Sequence, residues 1–149
     1  MSKLKEDSSS AIHDSQPTNP DPAIRLTMMP RDTNAHGTVF GGIILSYIDV
    51  AGGVEAARRT AHPRFVTVAM DKIVFHQPVF IGDLVSFYAE TQRVGKTSIT
   101  VRVWVEAERF GGRGTRVRVT EAEVVYVAVD EHRNKIHIGE TQNEIAKQA

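Results

Sequence analysis

Residues 34–51 read NAHGTVFGGIILSYIDVA, and this stretch decides the fold of the chain. Its first half holds three glycines and an asparagine, and its second half begins the longest apolar segment of the sequence. The pattern predicts a loop that leads into a buried helix from about Gly42 to Thr60. Arg58 and Arg59 suit the end of that helix, because cations stabilise the negative end of a helix dipole.

The start of this helix is suited to hold a carbonyl oxygen that gains negative charge. Gly41 and Gly42 have no Cβ, so a ligand can approach their backbone N–H groups closely. The first N–H groups of a helix have no intrahelical partner, and the helix dipole adds positive potential there. Tight packing of the helix explains the two glycines equally well, and both interpretations stay open.

Asp49 is the only charged residue between Phe40 and Val54. It follows Gly42 by seven residues, nearly two helical turns, and therefore lies on the same helix face. A buried carboxylate without a partner is costly, so Asp49 must be solvated, hydrogen-bonded or functional. It is either a catalytic group or the cap of a neighbouring loop. The face that it shares is small and polar: Gly42, Ser46, Asp49, Gly53 and Ala56.

Composition excludes several classes of protein. The 149 residues fit one domain, and 18 basic residues balance 18 acidic ones, which argues against a protein that binds nucleic acid or an anionic membrane. Cysteine is absent, and the six histidines show no metal-ligand spacing, so we expect neither a metal site nor a cofactor. No apolar run resembles a signal peptide or a membrane span, so we expect a cytoplasmic protein.

Polar segments flank one predicted domain. Residues 1–22 contain three prolines and few apolar side chains, which is typical of a disordered tail. Residues 23–138 form the predicted domain, and residues 139–149 form a second polar tail.

Alternating apolar and polar residues predict five strands around the helix. In the last strand, Glu121 and Glu123 fall in phase with the valines, which either a β-bulge or a second covering surface would explain. Short links favour an antiparallel sheet, and a helix this apolar needs a sheet that curls around it. The fold class is therefore α+β. The predicted strands span residues 23–28, 65–75, 83–93, 97–108 and 116–129.

The pattern Asn34-x-His36-Gly37-x-x-Phe40-Gly41-Gly42, with Asp49 on the helix that follows, resembles the hotdog-fold acyl-CoA thioesterases. The similarity is greatest to the acyl-CoA hydrolase branch that includes the YciA-type enzymes. It covers about residues 24–138 and continues in the segments VTVA at 66–69, FHQPV at 75–79 and YVAVD at 126–130. The resemblance implies a hotdog fold, in which an antiparallel sheet wraps around one long central helix.

The resemblance also implies hydrolysis of acyl-CoA to a carboxylic acid and CoA. By position, Asp49 matches the catalytic carboxylate, acting as general base or as nucleophile, and Asn34 matches its partner amide. The backbone around Phe40, Gly41 and Gly42 matches the helix start that polarises the thioester carbonyl. In the family, paired subunits form a continuous sheet with active sites at their interface. We therefore expect a homodimer as the basic unit, assembled into a hexamer of three dimers.

Some assignments stay open at this point. His36 is either a hydrogen-bonding residue of the loop or a proton-transfer group. Two other functions compete: a hotdog hydratase or dehydratase, which would want a catalytic histidine paired with an acid, and a non-catalytic regulator that binds acyl-CoA.

The phosphates of CoA need cations near the mouth of the site. Ordinary solvated residues at strand ends would look the same in the sequence. The first candidates surround Gly95 and the second follow the glycine-rich segment: Arg93, Lys96 and Ser98, then Arg116 and Arg118.

Overall fold

The structure, a computed structural model, describes residues 21–60 and 64–138. Of the two predicted tails, residues 1–20 and 139–149 lie outside this part. Every predicted strand and the long helix are present, with ends within one residue of the prediction. In chain order the elements are β1 (Ile24–Thr27), a 3₁₀ turn (Pro30–Asp32), α1 (Gly41–Arg59), β2 (Phe65–Phe75), β3 (Leu84–Val94), β4 (Ser98–Glu108), a helical turn α2 (Arg109–Gly112) and β5 (Arg116–Ala128).

The strands form one antiparallel sheet in the order β1-β3-β4-β5-β2. Helix α1 packs against the centre of this sheet, mainly on β3 and β4. The clear alternation of β4 places one set of side chains in the core, as predicted, and all of them are fully buried: Ile99, Val101, Val103, Val105 and Ala107. The α+β prediction is confirmed.

A β-bulge in β5 explains the imperfect alternation of that strand. Val105 pairs with Thr120 and Glu106 pairs with Arg118, so Val119 is an extra residue without a partner of its own. The extra residue exchanges the two faces of the strand. After the bulge the buried positions are Thr120, Ala122, Val124 and Tyr126, which leaves Glu121 and Glu123 on the outer side.

The sheet covers one side of α1 rather than most of it. Val50 is 55 % exposed, although it lies in the middle of the helix. A sheet contacts only the helix face that packs against it, so the expectation that one sheet would enclose the helix does not hold for a single chain. Ala56 lies on the buried side and not on the small polar face. The buried residues are Ile44, Ile48, Ala51, Gly52, Glu55 and Ala56.

Strand β2 is an edge strand, since it pairs with β5 alone. Long apolar edges of this kind promote association unless another surface covers them. Its exposed apolar residues are Val66, Val68, Ile73, Val74 and Phe75. Within the described residues, neither helix combines the length and the hydropathy of a membrane-spanning segment.

Candidate active site

The loop before α1 is organised by the side chain of Asn34. Its Oδ1 accepts hydrogen bonds from the N–H groups of His36 at 2.8 Å and Thr38 at 3.3 Å. Its Nδ2 donates to Thr38 Oγ1 at 2.8 Å. Gly37 completes the turn at φ +81°, a value that favours glycine. These bonds all remain inside the loop, so Asn34 shapes the approach to the helix. The His36 side chain is exposed.

The first turn of α1 presents two backbone donors. The carbonyl of Phe40 accepts from the N–H groups of Ile43 at 3.0 Å and Ile44 at 3.4 Å. The N–H groups of Gly41 and Gly42 have no partner in the part of the chain that the structure describes. Both glycines are exposed, and no side chain among residues 21–60 and 64–138 caps the helix start. Free N–H groups at the positive end of a 19-residue helix suit an oxyanion.

A cavity of 390 Å³ adjoins this helix start. Gly41 lies on its wall, and the ring of Phe75 packs over the glycine, 3.5 Å from where a Cβ would stand. A larger residue at position 41 would press against this ring and narrow the cavity. Much of the remaining lining is aliphatic, which suits the beginning of an acyl chain: Val39, Ile44, Val79 and Val119.

Asp49 is half-buried and is held at two points. Its carboxylate oxygen Oδ1 accepts a hydrogen bond from Thr67 Oγ1 at 2.6 Å. Its backbone carbonyl accepts a hydrogen bond from the hydroxyl of Tyr126 at 2.6 Å. Thr67 and Tyr126 lie opposite each other in the β2–β5 ladder, so neighbouring strands hold one residue of the helix. The sequence motifs contained both residues, but no local pattern identified Asp49 as their partner.

The hydroxyl of Tyr126 remains protonated. Burial raises its pKa above the usual range, and the negative charge of nearby Asp49 and a hydrogen bond with it raise it further. The backbone N–H of Gly53 opposes this shift, because it favours the ionised oxygen. Tyr126 therefore acts as a hydrogen-bond donor.

Glu55 is a second buried carboxylate on α1, and the sequence did not single it out. It accepts hydrogen bonds from the N–H of Thr91 at 3.2 Å and from its hydroxyl at 3.0 Å. Arg59 lies 3.5 Å away as an ion-pair partner. These contacts compensate the negative charge and connect the second half of α1 to β3, so Glu55 has a structural role.

The proposed cations near Gly95 lie far from the helix start within one chain. Thr91 contacts Glu55, and Glu55 lies about 21 Å along the helix from Gly41. Arg93 and Lys96 follow Thr91 in the chain and lie still farther from Gly41. Lys96 is exposed, and Arg93 makes a 3.4 Å hydrogen bond to Thr100. Ser98 begins β4 beside them.

The second group of cations is already paired. Arg116 forms ion pairs with Glu106 and Glu108, and its hydrogen bond to Glu108 raises its pKa. Arg118 lies 3.7 Å from Glu121. Carboxylates that face these guanidinium groups weaken their attraction for a phosphate.

Comparisons with known proteins find relatives that are similar in sequence and in fold. Residues 36–111 match the family model of the Thioesterase superfamily. Acyl-CoA thioester hydrolase YciA of Salmonella typhimurium is 43% identical over 109 residues, which is 72% of this chain and 81% of that protein. The hexameric hotdog-fold thioesterase of Campylobacter jejuni is 42% identical, with a TM-score of 0.75 over 86% of this chain and 95% of its own. An aspartate-to-alanine mutant of a hexameric broad-specificity acyl-coenzyme A thioesterase is 34% identical, with a TM-score of 0.77 over 86% of this chain and 93% of its own.

Proposed function

The chain belongs to the Thioesterase superfamily, and we propose that it is an acyl-CoA thioesterase that releases a carboxylic acid and free CoA. The resemblance that the glycine loop and Asp49 indicated is confirmed by this membership. One observation carries the proposal: the helix with two free N–H groups at its start also carries a half-buried, oriented carboxylate. Hydrolysis of a thioester needs both parts, because the carbonyl oxygen gains charge while the attacking group must be activated.

The N–H groups of Gly41 and Gly42 receive the thioester oxygen. The cavity beside Gly41 takes the first part of the acyl chain against its aliphatic residues. Loss of a single donor of this kind reduces a rate about a hundredfold or more, so this helix start supplies a large part of the catalysis.

Asp49 activates the attack in one of two ways. As a general base it takes a proton from water, whose oxygen bonds to the carbonyl carbon. The C–S bond then breaks, and the departing CoA thiolate takes up that proton, which restores the carboxylate of Asp49. As a nucleophile its oxygen bonds to that carbon directly, CoA leaves, and water hydrolyses the resulting anhydride. In both routes the bond from Thr67 to Oδ1 orients the carboxylate and leaves the second oxygen to react. Label in Asp49 after a single turnover in ¹⁸O-labelled water would establish the anhydride route, because water that attacks the Asp49 carbon of the anhydride leaves its oxygen there and general-base catalysis never does.

A hydratase or dehydratase is a weaker candidate. It would need a histidine paired with an acid near the helix start. His76 lines the cavity beside Gly41, but its Nε2 lies 3.9 Å from the nearest carboxylate oxygen of Glu121, which is too long for a hydrogen bond. His36 is exposed, and only its backbone N–H bonds to Asn34 in the described part of the chain. This supports the loop role for His36.

Thiol release from acetyl-, butyryl- and palmitoyl-CoA, followed with a thiol-reactive dye, tests the proposal. A thioesterase releases thiol from at least one of the three substrates at a turnover proportional to enzyme concentration. Binding of acyl-CoA without thiol release would support a regulator instead. Hydration of an enoyl-CoA, measured by loss of its conjugated absorbance, would support the hydratase.

We further propose that two copies pair through β2. The exposed valines of that strand and the exposed Val50 of α1 give an apolar surface that a partner subunit would cover. Antiparallel pairing of two β2 edges would continue the sheet and would bring the two helices together. The Campylobacter jejuni relative is hexameric, and we propose the same assembly here, as three dimers.

In such a dimer, Lys96 can reach the active site only from the partner subunit. We expect Lys96→Ala to raise KM for acyl-CoA several-fold with little change in kcat, because a phosphate contact stabilises ground state and transition state equally. Arg116→Ala is the matched control, since Glu106 and Glu108 already neutralise that guanidinium. Steady-state kinetics of both variants give the answer. Equal KM values for Lys96→Ala and wild type would show that the turn around Gly95 is not part of the CoA site.

A further inference from the structure

The hydroxyl of Tyr126 contacts a backbone carbonyl in the middle of helix α1. In a regular helix the carbonyl of Asp49 accepts from the N–H of Gly53, four residues later. Here the Tyr126 hydroxyl donates to that same carbonyl at 2.6 Å. A side chain from the sheet therefore binds the helix backbone at the proposed catalytic residue itself.

Gly52 makes room for this contact. A Cβ built on Gly52 would lie 2.2 Å from the Tyr126 hydroxyl and 3.0 Å from two carbons of its ring. Both residues are buried in the core, so the ring has no space to move aside. A glycine in the middle of a helix destabilises it relative to alanine. The close approach of Tyr126 explains why glycine occupies position 52.

The sheet thus holds Asp49 by its backbone and by its side chain at once. Tyr126 fixes the carbonyl, and Thr67, directly opposite on β2, fixes the carboxylate. We propose that Tyr126, seated in the gap at Gly52, is a positioning residue that sets the place of Asp49 for catalysis. The kinetic part of this inference rests on the proposed thioesterase function, whereas the coupling between Tyr126 and Gly52 does not.

Removal of one oxygen atom tests the kinetic part. We expect Tyr126→Phe to lower kcat about tenfold or more and to leave KM within about twofold, because a small displacement of a reacting group reduces the rate without affecting distant binding contacts. Tyr88→Phe is the matched control. Tyr88 is equally buried in the same sheet, but it stacks on Trp104 on the face away from α1.

Turnover is measured well below the melting temperature of each variant and is expressed per folded protomer, so that lost stability does not count as lost chemistry. An unchanged kcat in Tyr126→Phe, or an equal loss in Tyr88→Phe, would overturn the positioning role. A wild-type protein without thioesterase activity would instead refute the proposed function and leave the structural coupling to be judged by stability alone.

A double-mutant cycle tests that coupling without any activity measurement. Gly52→Ala should lower Tm strongly in the wild-type background, since its Cβ meets the hydroxyl. In the Tyr126→Phe background the closest atom is gone, so the same substitution should retain about half of its effect on Tm or less. If Gly52→Ala is too unstable to purify alone, recovery of folded protein in the double variant is the supporting result. Additive effects of the two substitutions on Tm would refute the coupling.

Discussion

Asp49→Asn is expected to retain the fold and to lower kcat for acyl-CoA about a hundredfold to ten-thousandfold, the range over which general bases contribute. The substitution is nearly isosteric. The amide oxygen of asparagine can accept the same hydrogen bond from Thr67, and the backbone carbonyl remains available to Tyr126. Only the charge and the basicity are lost, so the effect falls on the chemistry.

The measurement compares thiol release, Tm and oligomeric state of Asp49→Asn with those of the wild type. Asp71→Asn serves as the control, because Asp71 is an exposed aspartate on β2, the strand that carries Thr67. Near wild-type turnover in Asp49→Asn would make Asp49 a structural residue and would refute both proposed routes.

A mixture of two nearly inactive variants is expected to recover about a quarter of the wild-type sites. The variants are Asn34→Ala and Asp49→Ala, unfolded together and refolded. Within one chain, Asn34 bonds only inside its loop while Asp49 is held by β2 and β5, and no hydrogen bond joins the two among the described residues. A site that combines both residues across a two-fold interface explains this separation.

The expected recovery follows from the symmetry. In a mixed dimer, one site receives both substitutions and the other receives neither. Random pairing makes about half of the dimers mixed, so about one site in four is intact. A size tag on one variant confirms that exchange has taken place. If mixed dimers form and activity does not return, each site takes both residues from one subunit, and the shared-site proposal is wrong.

The elements of this fold could be predicted because each carries its own local signal. The glycines before an apolar segment with helical spacing gave the start of α1 within one residue. The alternation of β4 gave its buried face correctly, since successive side chains of a strand point to opposite sides. Family motifs then pointed to Asp49 and to the helix start.

The partners of these residues could not be predicted in the same way. The pairing of Arg116 with Glu108 depends on which residues of β4 and β5 stand opposite each other. The contact of Tyr126 with Asp49 depends on how α1 packs against the sheet. The bulge at Val119 changes that register by one residue, and a one-residue change exchanges the faces of a strand. The sequence left a bulge and a second covering surface as equal explanations.

The sequence by itself therefore determined the order of the elements and the position of Asp49 on the helix, because helical and strand periodicities are properties of the local backbone. The tertiary structure alone decided what holds Asp49 in place, which arginines are neutralised, and that Lys96 lies at the far end of α1 from Gly41. These relations arise between segments distant in the chain, where cross-strand register and helix packing set the distances.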